Sequence, residues 1–197
     1  MVLSGGKLAG GNPKKKRVDN DFYATNPKAV EMLLKQESFE CNNILEPCVG
    51  NGNIAAALKL HNPPAKILGI DIVDRGYPKT LVSDFLTLDI PLKFDTIITN
   101  PPFSLAKEFV EKSLTHLTNT GKCAMFLKIQ FLEGSKRKEF FKKYPPKYIY
   151  VFRNRMATWN DGNPTDPETG KAWATTMCHA WFVWENGSTS EPVVRWL

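Results

Sequence analysis

Short apolar runs, rich in β-branched and aromatic residues, alternate along this chain with stretches whose apolar residues recur every three to four positions. The runs at 43–46, 66–71, 80–83, 94–99, 122–129, 147–152 and 178–185 predict seven strands. The stretches at 27–36, 53–60, 105–117 and 135–144 predict helices, the first with Asn26 as its cap and Pro27 in its first turn. Alternation of this kind predicts an α/β fold, with a mainly parallel sheet and helices on both faces. Between the last two runs lies 156–176, rich in proline, glycine and aspartate, a length that is usually functional or disordered when it lacks secondary structure. It carries Trp159 and Trp173. Two readings stand for these rings: packing into the core, expected for at least one of them, or a stacking surface for a base.

Ahead of the first helix, residues 1–20 are glycine-rich and then basic, through Lys14, Lys15, Lys16 and Arg17. They read as a flexible basic arm before a single domain spanning 21–197. Residues 13–18 superficially resemble a nuclear-import signal, but a solvated arm is the preferred reading and a phosphate-contacting arm the second.

Composition narrows the picture only a little. A chain of 197 residues with 42% hydrophobic and 23% charged content can bury one sizeable core. No run approaches the roughly 20 apolar residues that span a bilayer. The amino terminus has no apolar signal region, so a cytoplasmic location is expected. Cys41, Cys48, Cys123 and Cys178 show no CxxC spacing, and His61, His116 and His179 are scattered, so no metal site is expected and the thiols read as reduced. The net charge of +6 leans weakly towards a polyanionic partner.

The most informative residues follow the run at 94–99. Asn100-Pro101-Pro102-Phe103 ends that strand and stiffens the turn after it, holding an amide at the carboxyl edge of the sheet with a ring three positions on. An Asn carbonyl and a nearby backbone carbonyl can accept both hydrogens of one planar amine, and the Phe ring can stack on the plane that bears it. The plainer alternative is a proline-rich turn with Phe103 in the core. Upstream, the first strand runs into Glu46-Pro47-Cys48-Val49-Gly50-Asn51-Gly52-Asn53, where glycines let the backbone approach a ligand closely. Asp71 ends the next strand about twenty residues later, where a ribose hydroxyl would be gripped, or where an Asp would simply cap a turn. A dinucleotide fold and a nucleoside cofactor without phosphates both fit this pair. The third glycine is replaced by the Ala55-Ala56 stretch, and Glu46 repels phosphate while suiting an ammonium or sulfonium group. After the third strand, Asp84-Phe85 can accept from an adenine amino group and pack on its face, although the dipeptide alone is a weak signal.

Taken together, these residues resemble the class I S-adenosylmethionine-dependent methyltransferases, and within them the small phage-type enzymes that methylate the N6 amine of adenine in DNA. The resemblance runs from Asp21 to Leu197. It implies a Rossmann-like, mostly parallel seven-stranded sheet whose last strand is antiparallel, and S-adenosyl-L-methionine as cofactor. It implies cofactor contacts from Tyr23, Thr25, Glu46, Pro47, Gly50, Gly52, Asn53, Asp71, Ile72, Asp84, Phe85 and Asn100. The segment Phe22-Tyr23-Ala24-Thr25-Asn26-Pro27 resembles the one that closes over the methionine end, and its place ahead of the glycine loop gives the motif order of the gamma group. Asn100, Pro101, Pro102 and Phe103 match the catalytic motif, with the adenine flipped out of its duplex onto Phe103. Phe131-Leu132-Glu133-Gly134 resembles a stretch found after the fifth strand in the phage-type enzymes.

Such enzymes usually carry a separate target-recognition domain, for which this chain is expected to have no room. Recognition then falls to the basic arm, to Lys136, Arg137 and Lys138 with Lys142 and Lys143, to Arg153 and Arg155, or to Trp159 in the long loop. A solvated face is the plain alternative for the lysines. Rival acceptors for the same motif are adenine or guanine in RNA and a protein glutamine. A non-enzymatic DNA-binding module is the rival of another class, and an oxidoreductase ranks last because it leaves Asn100 to Phe103 without a role.

Overall fold

The computed structural model describes residues 22–197, so the basic arm at 1–20 lies outside the described residues. In chain order the elements are β1 (Tyr23–Ala24), α1 (Pro27–Leu34), β2 (Ile44–Glu46), α2 (Asn53–His61), β3 (Ile67–Asp71), β4 (Leu81–Val82) and β5 (Phe94–Thr99). Next come α3 (Ala106–Thr115), β6 (Leu117–Lys128), α4 (Lys138–Lys143), β7 (Tyr148–Val151), β8 (Trp159–Asn160), β9 (His179–Glu185) and β10 (Val193–Trp196).

The main sheet has the order β10-β7-β9-β6-β5-β2-β3-β4. Every pairing is parallel except those of β9, which runs antiparallel to both β6 and β7. All seven expected strands are present, but the sheet has eight, and the antiparallel strand is not the last. The eighth, β10, is a short edge strand exposed at all four positions, so it carries no inside–outside alternation to read. It is held by backbone pairing to β7 and by Arg195, whose guanidinium lies 4.0 Å over the Tyr148 ring and donates to Tyr150 Oη at 3.1 Å.

Both faces of the sheet are covered, which is why its central strands read as nearly unbroken apolar runs. On one side Val30 and Leu33 of α1 and Ile54 and Leu58 of α2 pack on Ile44, Ile98, Phe126 and Trp181. On the other, Phe109 and Val110 of α3 and Phe140 of α4 pack on Leu45, Ile97, Met125 and Phe182. Alternate residues of each strand thus feed opposite layers. The expected helix at 105–117 begins as a 3₁₀ turn over Phe103–Leu105, and the expected helix at 135–144 splits into a 3₁₀ turn over Ser135–Arg137 followed by α4. The long loop is not wholly irregular, because Trp159 and Asn160 pair antiparallel with Ala24 and Tyr23.

The chain steps outward from β2 to β3 and β4, then returns to β5 on the opposite side of β2. That reversal opens a crevice beyond the carboxyl ends of β2 and β5, the general ligand position in open parallel sheets.

Candidate functional site

The glycine loop forms one wall of the crevice. Gly50 has φ +54° and Gly52 φ +86°, in the left-handed region that glycine enters without steric cost. A Cβ on Gly50 would lie 2.4 Å from the Phe22 ring, and one on Gly52 2.4 Å from the Tyr77 ring. Asp71, at the end of β3, accepts the Gly50 N–H at 2.8 Å and the Val73 N–H at 3.1 Å, pinning the loop to the neighbouring strand. Asn53 opens α2 and donates its side-chain NH2 to the Thr25 carbonyl at 3.0 Å. Gly50→Ala combines a left-handed backbone, costing about 1–2 kcal/mol, with a collision at Phe22. Thermal unfolding should report a Tm lower by roughly 2–8 °C for a domain of this size.

At the head of the crevice Glu46 is almost fully buried, and its Oε2 has no hydrogen-bond partner among the described residues. Burial holds its carboxyl well above the usual carboxylate range, with the Asp71 charge adding to the shift and the Ala55 N–H opposing it. The Thr25 hydroxyl is likewise buried without a partner among the described residues, and the Thr99 hydroxyl is buried against the Cys48 thiol. A buried acid with one oxygen unpaired at the carboxyl end of β2, and an unpaired hydroxyl just after β1, fit a polar, cationic ligand better than an apolar or phosphate-bearing one. Burial, then the Asp71 charge, pushes the Cys48 thiol far up, so it is a neutral wall group and not a nucleophile. Pro47 is buried beside it.

Asn100 follows β5 and is half-buried, with Pro101 buried behind it and Pro102 exposed. Its Nδ2 donates to the Tyr23 carbonyl at 2.9 Å, which fixes the amide's orientation and leaves Oδ1 as its acceptor atom. Phe103 is half-buried at the margin of the core. Its ring packs on His179 at a centroid distance of 5.8 Å, and the Lys128 ammonium lies 4.9 Å from its centre. His179 also stacks on Phe126 at 4.9 Å.

The structure thus ties Gly50 to Asp71, Asn53 to Thr25 and Asn100 to Tyr23, sets Glu46 within the field of Asp71, and places Gly52 against the Tyr77 ring. Ile72 lies just past Asp71 and is 59% exposed. Asp84 is exposed and accepts the Leu86 N–H, capping its own turn. Phe85 packs in the core against Phe109 and is 2% exposed. Of the basic residues, Lys136, Lys138 and Arg153 are exposed. Arg137 lines a cavity of about 160 Å³ with Phe103 and Lys128, and its guanidinium donates to the carbonyls of Phe131, Gln130 and Glu133. Arg155 donates to the Thr176 carbonyl and to Cys178 Sγ. Trp159 is half-buried in the β1–β8 ribbon, and Trp173 donates its indole N–H to the Asn163 carbonyl. His179 and Lys128 were not legible as site residues. Both sit in apolar strand runs, and only their pairing across β6 and β9 carries them to Phe103.

Among the described residues no cluster of histidine, cysteine and carboxylate side chains could hold a metal ion, and no helix is long and apolar enough to cross a membrane.

No protein-family model matches the chain. Over 150 residues it is 30% identical to the type II methyltransferase M.CvrRI of Paramecium bursaria Chlorella virus XZ-6E, a match covering 61% of this chain and 39% of that protein. Among solved structures, it is similar to the methyltransferase subunit of a type I restriction-modification system from Streptococcus thermophilus, with TM-score 0.62 and 15% identity over 90% of this chain and 48% of that one. It is also similar to an S-adenosylmethionine-dependent O-methyltransferase of Thermotoga maritima, with TM-score 0.54 and 13% identity over 94% of this chain and 72% of that one. The fold is therefore the Rossmann-like one of the class I methyltransferases.

Proposed function

We propose that this chain transfers a methyl group from S-adenosyl-L-methionine to an exocyclic amine of nucleic acid, and specifically to N6 of adenine in DNA. The observation that carries the reading is the tether from Asn100 to the Tyr23 carbonyl, which presents a fixed amide acceptor beside the pinned glycine loop. Similarity to a type II methyltransferase supports DNA as the acceptor.

The cofactor supplies a methyl group activated on sulfonium. Its cationic end would lie against Glu46, its ribose against Asp71, and its methionine end beneath residues 23–25. Asn100 Oδ1 and the Pro101 carbonyl accept the two hydrogens of the target amine, which turns the nitrogen lone pair towards the methyl carbon. With the amine so held, the sulfonium would supply its methyl group to the nitrogen, which would give up one proton to water. Phe103 stacks on the base, and Lys128 with Arg137 lines the approach for a phosphate backbone. The protein's part is alignment and fixed dipoles, because the leaving group is already a good one.

The test is transfer of labelled methyl to duplex DNA, single-stranded DNA, RNA and protein in parallel. N6-methyladenine in DNA is the expected product. Label found only in RNA or on protein glutamine would keep the cofactor and move the acceptor. No label, with no cofactor binding, would leave a nucleic-acid-binding module.

A further inference from the structure

Phe103 does not stand alone. It is the outer ring of a stack that runs through His179 to Phe126, with centroid spacings of 5.8 and 4.9 Å. His179 Nδ1 lies 2.8 Å from the Met156 carbonyl, which can only accept, so the proton sits on Nδ1. Nε2 is then an acceptor, buried and without a partner among the described residues. The residue as a whole is 2% exposed. An unpaired buried nitrogen destabilises a fold, and phenylalanine would fill the same place without one. What phenylalanine lacks is a donor at the δ position. Asparagine has that donor and lacks the ring. Histidine joins the two, and the carbonyl it holds begins the loop that bears Trp159.

We propose that His179 is a positioning residue of the acceptor site: its ring sets the seat of Phe103, and its Nδ1–H ties that seat to the loop at 156–176. The inference rests on reading the crevice as an amine methyl-transfer site. The base seat and the loop lying across from β1 then form one mechanical unit, joined through this imidazole on the β9 side and through Asn100 and Tyr23 on the β1 side. Met156 is itself buried, so the joint is anchored on the loop side as well.

Two substitutions separate the ring from the donor. His179→Asn keeps the δ donor and removes the ring. His179→Phe keeps the ring and removes the donor. Each would be compared with the unaltered chain for kcat and KM on plasmid DNA, for S-adenosylmethionine affinity, and for hydrogen exchange at 156–176. His179→Asn should lose at least roughly tenfold in kcat, because the reacting amine is misplaced, with loop exchange and cofactor affinity close to the unaltered values. His179→Phe should lose less in kcat, while its loop amides exchange faster and KM for DNA rises. An unchanged kcat in His179→Asn, or unchanged loop exchange in His179→Phe, overturns the proposal. So does a parallel fall of cofactor affinity and thermal stability in both variants, which would make His179 a core residue only. Failure of the functional reading is seen separately, as absence of methyl transfer by the unaltered chain, and the exchange measurement tests the tether even then.

Discussion

Asn100→Ala is expected to all but abolish methyl transfer while cofactor binding survives, somewhat weakened. The side chain supplies the acceptor for the target amine, and removing one preorganised hydrogen-bonding group of this kind costs roughly 10²–10³ in rate. It also releases the Tyr23 carbonyl from its 2.9 Å bond, so the strap above the crevice loosens and the loss should fall at the upper end of that range. The cofactor's cationic end is assigned to Glu46 and its ribose to Asp71, so its affinity should fall far less than the rate, by the share of the methionine-end contact that the loosened strap gives up. Single-turnover transfer beside calorimetric titration with S-adenosylmethionine separates the two effects. Asn100→Asp keeps an acceptor oxygen but sets a carboxylate against the Tyr23 carbonyl, so its rate should fall between those of the alanine variant and the unaltered chain. An alanine variant that turns over normally would remove Asn100 from the chemistry.

Glu46→Gln should move stability and affinity in opposite directions. The folded-state carboxyl titrates well above its unfolded value because it is buried. Its neutral form is therefore favourable below the unfolded pKa, and that contribution is lost as pH rises through the folded one. Glutamine has the shape of the neutral acid and carries no proton to lose. The ligand-free variant should melt close to the unaltered chain at pH 5 and above it at pH 8, with a gap that widens as pH rises. Cofactor binding should show the reverse. A cation placed against Glu46 draws the proton off, so affinity for the unaltered chain rises with pH, and the variant loses that gain. Loss of a charged hydrogen bond, worth about 1.5–3 kcal/mol, corresponds to roughly 10- to 150-fold in affinity. Proton release measured by titration in buffers of different ionisation enthalpy provides a direct check. Equal melting and equal affinity across that pH range would mean that Glu46 stays charged and out of contact with the ligand.

What could be read from sequence was what depends on near neighbours. Residues 94–99 form a strand because an apolar run with proline at its end has few alternatives, and Asn100 falls at the carboxyl edge as a result. The positive φ of Gly50 and Gly52 follows from a tight turn between β2 and α2. Features set by distant partners were harder to see. Val193–Trp196 forms a strand through its pairing with β7, while its own side chains stay exposed. Tyr23–Ala24 and Trp159–Asn160 are each two residues long, and each is a strand only because the other is there. Phe85 has the composition of a base-stacking residue, yet it lies in the core on Phe109. Arg137 and Arg155 look like phosphate contacts in a basic chain, and in the fold they also clamp loop carbonyls, a use that charge alone does not reveal.

The placement of β9 between β6 and β7 bears on how the protein is made. β7 and β10 pair with each other, and their route into the rest of the sheet is through β9. On the ribosome, residues 44–128 can assemble β2 to β6 as a parallel half-sheet while the remainder is still being synthesised. The edge of β6 then waits for a strand more than fifty residues downstream. Throughout that interval an apolar strand edge is unpaired, the condition under which nascent chains associate wrongly. The strand that finally closes the gap begins with His179, so covering that edge and completing the seat behind Phe103 are one folding event.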